Sequence, residues 1–189
     1  MTLAKSLTYV WAAAVVAILA VWIADASTFS EAGLEDTFRG WGRWAFAGFA
    51  VVSLIRGAFL IPSTPVVLAG GALFPKAAPF VLLISMAGIV LSAALLYHFP
   101  GFAGYDTKLA AKYPTQLARL QVHLTKPRAQ WFVALWAFFP VVPTDLICYA
   151  AGLVRMPFRR MMFGIVLGEV PLVTAYILVG KSVVQLLPV

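Results

Sequence analysis

Two carboxylates stand inside apolar stretches of the sequence, which makes them the first candidates for chemistry. Asp145 closely follows two prolines, and Glu169 lies near the middle of a continuous apolar run. Ionisable side chains at membrane depth are unfavourable and are by default candidates for function. Either carboxyl can bind a coupling proton, because burial favours its neutral form. The structural alternatives are an internal ion pair or a hydrogen-bonded structural carboxyl, for example Asp145 capping a half-helix that begins after Pro143.

Four arginines are candidates for binding an anion or for balancing these acids. Arg56 precedes the first proline pair, and a guanidinium can hold a phosphate through two parallel hydrogen bonds. It can equally extend from the membrane boundary to the lipid headgroups. Arg155, Arg159 and Arg160 follow the second proline pair. These three are candidates for the same anion, and they also fit a role in setting topology and contacting headgroups.

Broken helices offer a second way to bind an anion. Residues 138–154 are almost wholly apolar but contain Pro140 and Pro143, and proline interrupts a helix. This pattern is typical of a re-entrant segment that packs against protein inside the bilayer. The N-termini of its half-helices present N–H groups to an anion. Three glycines allow close backbone approach there, although glycine is also common where membrane helices pack: Gly70, Gly71 and Gly152.

Composition assigns the chain to the integral membrane proteins. Of its 189 residues, 62% are hydrophobic and 11% are charged, against about 45–50% and about 25% in soluble domains. The net charge of +7 is interpreted as positive-inside topology and contact with anionic lipid, and not as nucleic-acid binding. Cys148 is the only cysteine, so no intramolecular disulfide and no cysteine-based metal site is expected. No nucleophile motif or phosphate loop indicates an enzyme or a cofactor.

Hydropathy divides the chain into an anchor, a connector and one membrane domain at residues 44–182. The predicted segments are a transmembrane anchor at 1–26, a polar connector at 27–43, a re-entrant hairpin at 44–74, a transmembrane helix at 80–97, a basic amphipathic linker at 98–129, a second hairpin at 130–154 and a transmembrane helix at 161–180. Three alternatives stay open: the anchor is a cleaved signal peptide, residues 44–61 span the membrane outright, and the linker helix docks on the bundle instead of lying among headgroups.

Two parts of the membrane domain match each other. Pro62-x-x-Pro65 corresponds to Pro140-x-x-Pro143, and Gly70 corresponds to Gly152 if the second half contains about three extra residues. We therefore predict an all-α integral membrane protein, built as an inverted repeat of a re-entrant helical hairpin plus a transmembrane helix behind an N-terminal transmembrane anchor. A cytoplasmic N-terminus places nine basic residues inside, namely Lys5, Lys108, Lys112, Arg119, Lys126, Arg128, Arg155, Arg159 and Arg160.

The proline-containing stretches also resemble a known family. Residues 140–160 read PVVPTDLICYAAGLVRMPFRR, residues 168–171 read GEVP, and residues 62–74 read PSTPVVLAGGALF. Together they resemble the DedA/VTT (SNARE-associated) membrane protein superfamily, in its P-x-x-P-x-D branch. Flippase-type members carry arginines where this chain has Ala137 and Pro143. The resemblance assigns the re-entrant motif to Pro62, Pro65, Gly70, Gly71, Pro140, Pro143, Tyr149 and Gly152.

The resemblance implies a pair of opposed re-entrant hairpins and a role in moving lipids across a membrane, here the plasma membrane of a bacterium. We therefore expect a flippase- or scramblase-type transporter of lipid or lipid phosphate that is proton-coupled. Its expected partners are membrane lipids, anionic ones above all, and the sequence leaves a homo-oligomer open. The alternatives are a transporter of small solutes or ions that uses the same broken-helix site, and a membrane-organising factor that transports nothing.

Overall fold

The described part of the chain is entirely helical in its regular structure. The computed structural model describes residues 33, 37, 39–59, 61–102, 104, 111–140 and 142–186. All regular elements among these residues are helices, which confirms the all-α prediction. The predicted anchor at residues 1–26, with its alternative cleavage site, lies outside the described residues, as does most of the polar connector.

Seven α-helices follow one another within the described ranges. They are α1 (Ala45–Ile55), α2 (Ser63–Leu73), α3 (Ala78–Phe102), α4 (Pro114–Leu124), α5 (Ala129–Phe138), α6 (Thr144–Leu153) and α7 (Phe158–Leu186). Short 3-10 turns precede α1 at Gly42–Trp44, follow it at Arg56–Phe59 and precede α3 at Pro75–Ala77.

Two of these helical segments are long and apolar enough to cross a membrane. The most apolar 18-residue window has a mean hydropathy of 2.4 in Pro75–Phe102 and of 2.0 in Phe158–Gly180, and these segments contain the spans predicted at 80–97 and 161–180. Helices α2, α5 and α6 have 10 or 11 residues and extend only about 15 Å, half of a hydrocarbon core of about 30 Å. Their depth in a membrane, and with it the re-entrant geometry, stays a prediction.

Prolines set the points where the short helices begin. Pro62 and Pro143 occupy the position before α2 and α6, with extended backbone at ψ 141° and ψ 117°. Proline suits this position because the first helical N–H groups have no partner within the helix. Pro65 lies in the first turn of α2, where its missing N–H is tolerated for the same reason. The chain therefore breaks twice at similar places, between α1 and α2 and between α5 and α6.

The second short helix of each half packs on the long helix of the other half. Helix α2 packs mainly on α7, and α6 packs mainly on α3. A Cβ added to Gly71 in α2 would lie 2.7 Å from the carbonyl oxygen of Ile177, and one added to Gly152 in α6 would lie 2.1 Å from that of Tyr97. Only glycine allows this backbone approach, so these two glycines serve helix packing.

A second pair of glycines joins each long helix to the first short helix of its own half. A Cβ on Gly88 in α3 would lie 2.0 Å from the carbonyl oxygen of Ser53 in α1. A Cβ on Gly168 in α7 would lie 2.3 Å from the carbonyl oxygen of Ala134 in α5. The two halves therefore share one packing pattern.

This packing matches the residues of the two halves differently from the match that was inferred from the proline spacing. Gly71 and Gly152 each stand nine residues after the proline that precedes their helix. The packing thus pairs Pro62 with Pro143 and Gly71 with Gly152, whereas the sequence pattern paired Pro62 with Pro140. The physical reason is that the proline before the first helical turn fixes where a half-helix begins, and the spacing between two prolines does not.

Helix α4 lies within the basic linker, where an amphipathic helix was predicted. Leu124 at its end packs against the hydrophobic core. The guanidinium of Arg160, near the start of α7, donates a hydrogen bond to the carbonyl oxygen of Thr125. The end of the linker is therefore docked on the helix bundle.

Candidate functional site

A cavity of about 290 Å³ lies where the two broken segments meet. Its charged side chains come from three separate elements: Arg56 from the turn after α1, Asp145 from α6 and Glu169 from α7. The sequence had marked these residues individually, and the fold brings them to one place. The site therefore combines one cation and two acids from both halves of the domain.

Arg56 is buried although it carries a charge. Only 4% of its surface is exposed, and its Nη1 donates a hydrogen bond of 3.3 Å to the carbonyl oxygen of Ile61. Both Asp145 and Glu169 attract its guanidinium electrostatically. The described residues contain no ion pair that joins Arg56 directly to either carboxyl. Its guanidinium consequently faces the cavity beside two acids without being neutralised by close contact with them.

Asp145 lies in the first turn of α6 and is partly buried. Its Oδ1 accepts a hydrogen bond of 3.0 Å from the Ser92 hydroxyl of α3. No side chain caps the N-terminus of α6, so the capping role considered for Asp145 is not what its carboxylate does. The positive end of the α6 dipole nonetheless favours a negative charge in this turn.

Glu169 is more deeply enclosed than Asp145. It is 3% exposed in the interior of α7, and its Oε1 accepts a hydrogen bond of 2.5 Å from the Thr144 hydroxyl. Thr144 is the first residue of α6, so this hydrogen bond joins the start of a broken segment to a long helix. The two acids are thus held by different hydroxyls.

The first turns of both half-helices line the same cavity. Ser63 and Thr64 contribute from α2, and Thr144 and Asp145 contribute from α6. The first turns of two helices therefore border one space, and a helix N-terminus carries a positive dipole end and N–H groups that have no partner within the helix. That these N-termini bind an anion stays a prediction.

The sequence profile of the VTT domain matches residues 61–182. This range covers more than half of the chain and includes both acids, Thr144 and all residues from α2 to the crossing part of α7. The chain belongs to the VTT domain family. This is the DedA/SNARE-associated family, whose members are generally membrane proteins regarded as transporter-like. Neither a curated protein nor a solved structure gave a significant match to the chain.

Prolines form much of the mouth of the cavity in this VTT domain. Pro62, Pro140 and Pro143 line it and are exposed, as is Phe139. The Trp136 indole N–H donates a hydrogen bond of 3.3 Å to the carbonyl oxygen of Pro143 and so fixes this segment to α5. The opening is therefore apolar, while the charged groups lie deeper.

The three arginines after α6 lie outside this cavity. Arg155 and Arg159 are exposed, and Arg160 bonds to Thr125. Arg155 has a left-handed backbone, with φ of 54°. The Arg155 N–H donates a hydrogen bond to the carbonyl oxygen of Gly152, and the Met156 N–H donates one to the carbonyl oxygen of Ala151. This pair of hydrogen bonds is the Schellman motif, which ends α6.

Other residues of the predicted motif also serve packing. Tyr149 packs against Phe99, with ring centroids 6.4 Å apart. A Cβ on Gly70 would lie 2.5 Å from the ring of Phe49. Cys148 is buried and lines the cavity, consistent with its interpretation as a small apolar residue.

Several hydroxyl-bearing residues of the site were not singled out from the sequence. Ser92 and Thr144 hold the two acids, and Ser63, Thr64 and Tyr176 line the cavity. A signal for Ser92 exists, because it stands seven residues after Ser85 on one face of an otherwise apolar helix. No cluster of three or more metal-ligating side chains occurs among the residues that the structure describes.

Proposed function

We propose that this VTT domain protein is a proton-coupled transporter that moves lipid phosphate, or a lipid with a phosphate headgroup, across the membrane. The observation that carries the proposal is the buried Arg56, which lines a cavity that the first turns of two helices also line. Guanidinium groups and helix N-termini both bind phosphate in proteins. The anion to be moved is therefore expected beside Arg56.

The size and mouth of the cavity support a headgroup rather than a whole lipid as its occupant. Its volume of about 290 Å³ is at the lower end of ligand pockets, which are roughly 300–1,000 Å³. The exposed Phe139 and the exposed prolines at the mouth are apolar neighbours for acyl chains. We infer that the phosphate enters while the chains stay in the surrounding lipid.

We further propose that exposed basic residues near the start of α7 contact anionic headgroups. Lys126 and Arg128 follow α4, and Arg155 and Arg159 flank the start of α7, and all four are exposed. Cations near an anionic leaflet gain about 1 kcal/mol each. This supports a cytoplasmic position for the basic linker in a bacterial plasma membrane, and with it a cytoplasmic N-terminus.

The small volume of the cavity also favours a second candidate, a transporter of free phosphate or a similarly small anion. Such a solute would use Arg56 and the same helix N-termini, and it would need no apolar mouth. The two candidates differ in whether acyl chains are part of the substrate.

Reconstitution tests these proposals directly. The purified chain is placed in liposomes that contain a fluorescent phospholipid or a labelled polyprenyl phosphate, and exchange between leaflets is followed with and without a pH gradient. Exchange above protein-free liposomes that is lost in Asp145→Asn supports lipid translocation, and Arg43→Gln is a matched control because Arg43 is exposed and outside the cavity. Uptake of free phosphate without exchange of either lipid would favour the small-anion transporter, and neither activity from folded protein would reject both.

A further inference from the structure

The charges around the cavity do not balance when all three groups are ionised. Arg56 contributes one positive charge, and Asp145 and Glu169 contribute two negative charges. An uncompensated charge in a buried site is strongly unfavourable, and two neighbouring carboxyls resist ionising together. One proton on one of the two acids would make the empty site neutral. Which acid holds it depends on their surroundings.

The surroundings of Asp145 favour its charged form. It lies in the first turn of α6, where the helix dipole stabilises an anion. It is partly exposed, and its carboxylate accepts a hydrogen bond from Ser92. Arg56 provides a nearby positive charge.

The surroundings of Glu169 are less favourable to a charge. It is 3% exposed and lies eleven residues after the start of α7, beyond the range in which the helix dipole acts. Enclosure away from water opposes its anion, whereas the Thr144 hydroxyl, which donates a hydrogen bond to the carboxyl, favours it.

Among the residues that the structure describes, no other group packed against α7 changes this balance. The sequences of α2 and α5 contain no titratable side chain. Helix α6 contributes Cys148 and Tyr149 besides Asp145, and α3 contributes Tyr97 and His98 toward its far end. Tyr176 lines the cavity from α7 itself. None of these adds a second permanent cation to the cavity.

The shared packing of the two halves adds an independent reason to single out Glu169. Gly88 and Gly168 are equivalent in this packing, and the residues that follow them, Ile89 and Glu169, both line the cavity. The first half fills this position with an isoleucine. A carboxyl at Glu169 is therefore not needed to build the helix contact.

We propose that Glu169 holds the exchangeable proton of this site, while Asp145 stays ionised as the counter-ion of Arg56. The inference rests on the proposed function, because it assigns roles within the same cavity. A phosphate that binds Arg56 then meets one permanent anion and one neutral carboxyl. Release of the Glu169 proton restores a second negative charge beside the phosphate and expels it, which links the proton to the anion.

Infrared spectroscopy tests the assignment without any transport assay. The purified chain in liposomes is titrated with acid and base, and the carbonyl stretching band of protonated carboxylic acids is recorded. We expect a band that persists to a higher pH than that of an ordinary solvated carboxyl, that disappears in Glu169→Gln and that remains in Asp145→Asn. Glu31→Gln, which also removes one carboxyl, is the control. Glu169→Ile, the residue used in the first half, replaces Glu169→Gln if that variant does not fold.

Each outcome is decisive. A band that is lost in Asp145→Asn and kept in Glu169→Gln would reverse the roles, and no such band in the folded wild type would mean that both acids are ionised. Either result overturns the assignment. If the band behaves as expected but neither lipid nor phosphate moves in liposomes, the transport proposal fails while the protonation of Glu169 stands.

Discussion

The hydroxyl of Ser92 donates a hydrogen bond of 3.0 Å to the carboxylate of Asp145, which lies 53 residues further along the chain. This contact joins the long apolar helix α3 to the first turn of α6. Ser92 is 1% exposed, so its hydroxyl is enclosed where it meets the carboxylate. The position of Asp145 in the cavity therefore depends on a residue of the other half.

Ser92→Ala is expected to lower the free energy of unfolding, because it leaves a partly buried carboxylate without its hydrogen bond. The expected loss is about 1–3 kcal/mol, measured by thermal or denaturant unfolding in detergent. Ser85→Ala is a matched control on the same helix, since the Ser85 hydroxyl is buried without a partner. That variant should be neutral or slightly stabilising. Equal losses in both variants would show that the Ser92 hydrogen bond does not hold Asp145.

Two replacements of Arg56 should distinguish the effect of its charge on stability from the effect of its hydrogen-bonding geometry on phosphate binding. Arg56→Gln removes the buried cation that attracts both acids and should destabilise the fold by about 1–3 kcal/mol. Arg56→Lys keeps the charge but loses the bidentate fork, so it should keep most of the stability and lose stabilisation by phosphate. Thermal unfolding with and without inorganic phosphate measures both effects. If phosphate stabilises Arg56→Lys as much as the wild type, the anion does not bind there.

The close helix contacts predict a clear order among glycine variants. Gly88→Ala and Gly168→Ala would place a methyl group against a backbone carbonyl oxygen, which is expected to destabilise the fold by roughly 1–3 kcal/mol. Gly101→Ala is the control because a Cβ there meets nothing within 4 Å, and alanine favours the helix. Unfolding temperatures that do not distinguish the three variants would contradict the described packing.

Arg155→Gly is expected to stabilise the protein by about 1 kcal/mol, because it relieves a left-handed backbone at the end of α6. Arg155→Lys keeps both the charge and the backbone strain, so it should not stabilise the protein. Lipid exchange should also survive Arg155→Gly, since Arg155 lies outside the cavity. Loss of exchange in the well-folded variant would return Arg155 to the binding site.

Anionic lipid should stabilise the wild type more than a variant in which Lys126, Arg128 and Arg159 are replaced by glutamine. The expected difference is about 1 kcal/mol for each cation removed, seen as a smaller rise in unfolding temperature when phosphatidylglycerol is added to phosphatidylcholine vesicles. High salt should reduce the effect. An equal response in both proteins would exclude these residues as a headgroup surface.

The sequence predicted the parts of this domain that follow from local chemistry. Apolar length identified the two long helices, and prolines identified the breaks, because both act on the residues next to them. The rarity of charge in apolar stretches pointed to Arg56, Asp145 and Glu169 individually. All three line the cavity.

Contacts between residues that are far apart in the sequence could not be predicted from local chemistry. Ser92 and Thr144 matter because of the acids they face, which lie far away in the chain. The exchange of α2 and α6 between the halves depends on which helix surface fits Gly71 or Gly152, and a glycine in the sequence does not name its neighbour. The same ambiguity explains why Arg155, Arg159 and Arg160 stood beside Arg56 among the candidates, although the sequence favoured a role in topology for these three.

The packing of α2 on α7 also sets an order in which the helices can assemble as the chain is made. Helix α2 is complete long before the ribosome reaches Ile177, the residue whose backbone Gly71 contacts. Until α7 is made, the face of α2 that α7 will cover is open to other partners. A helix of the second half therefore completes the first half, and a chain shortened before α7 is expected to be a substrate for quality-control proteases.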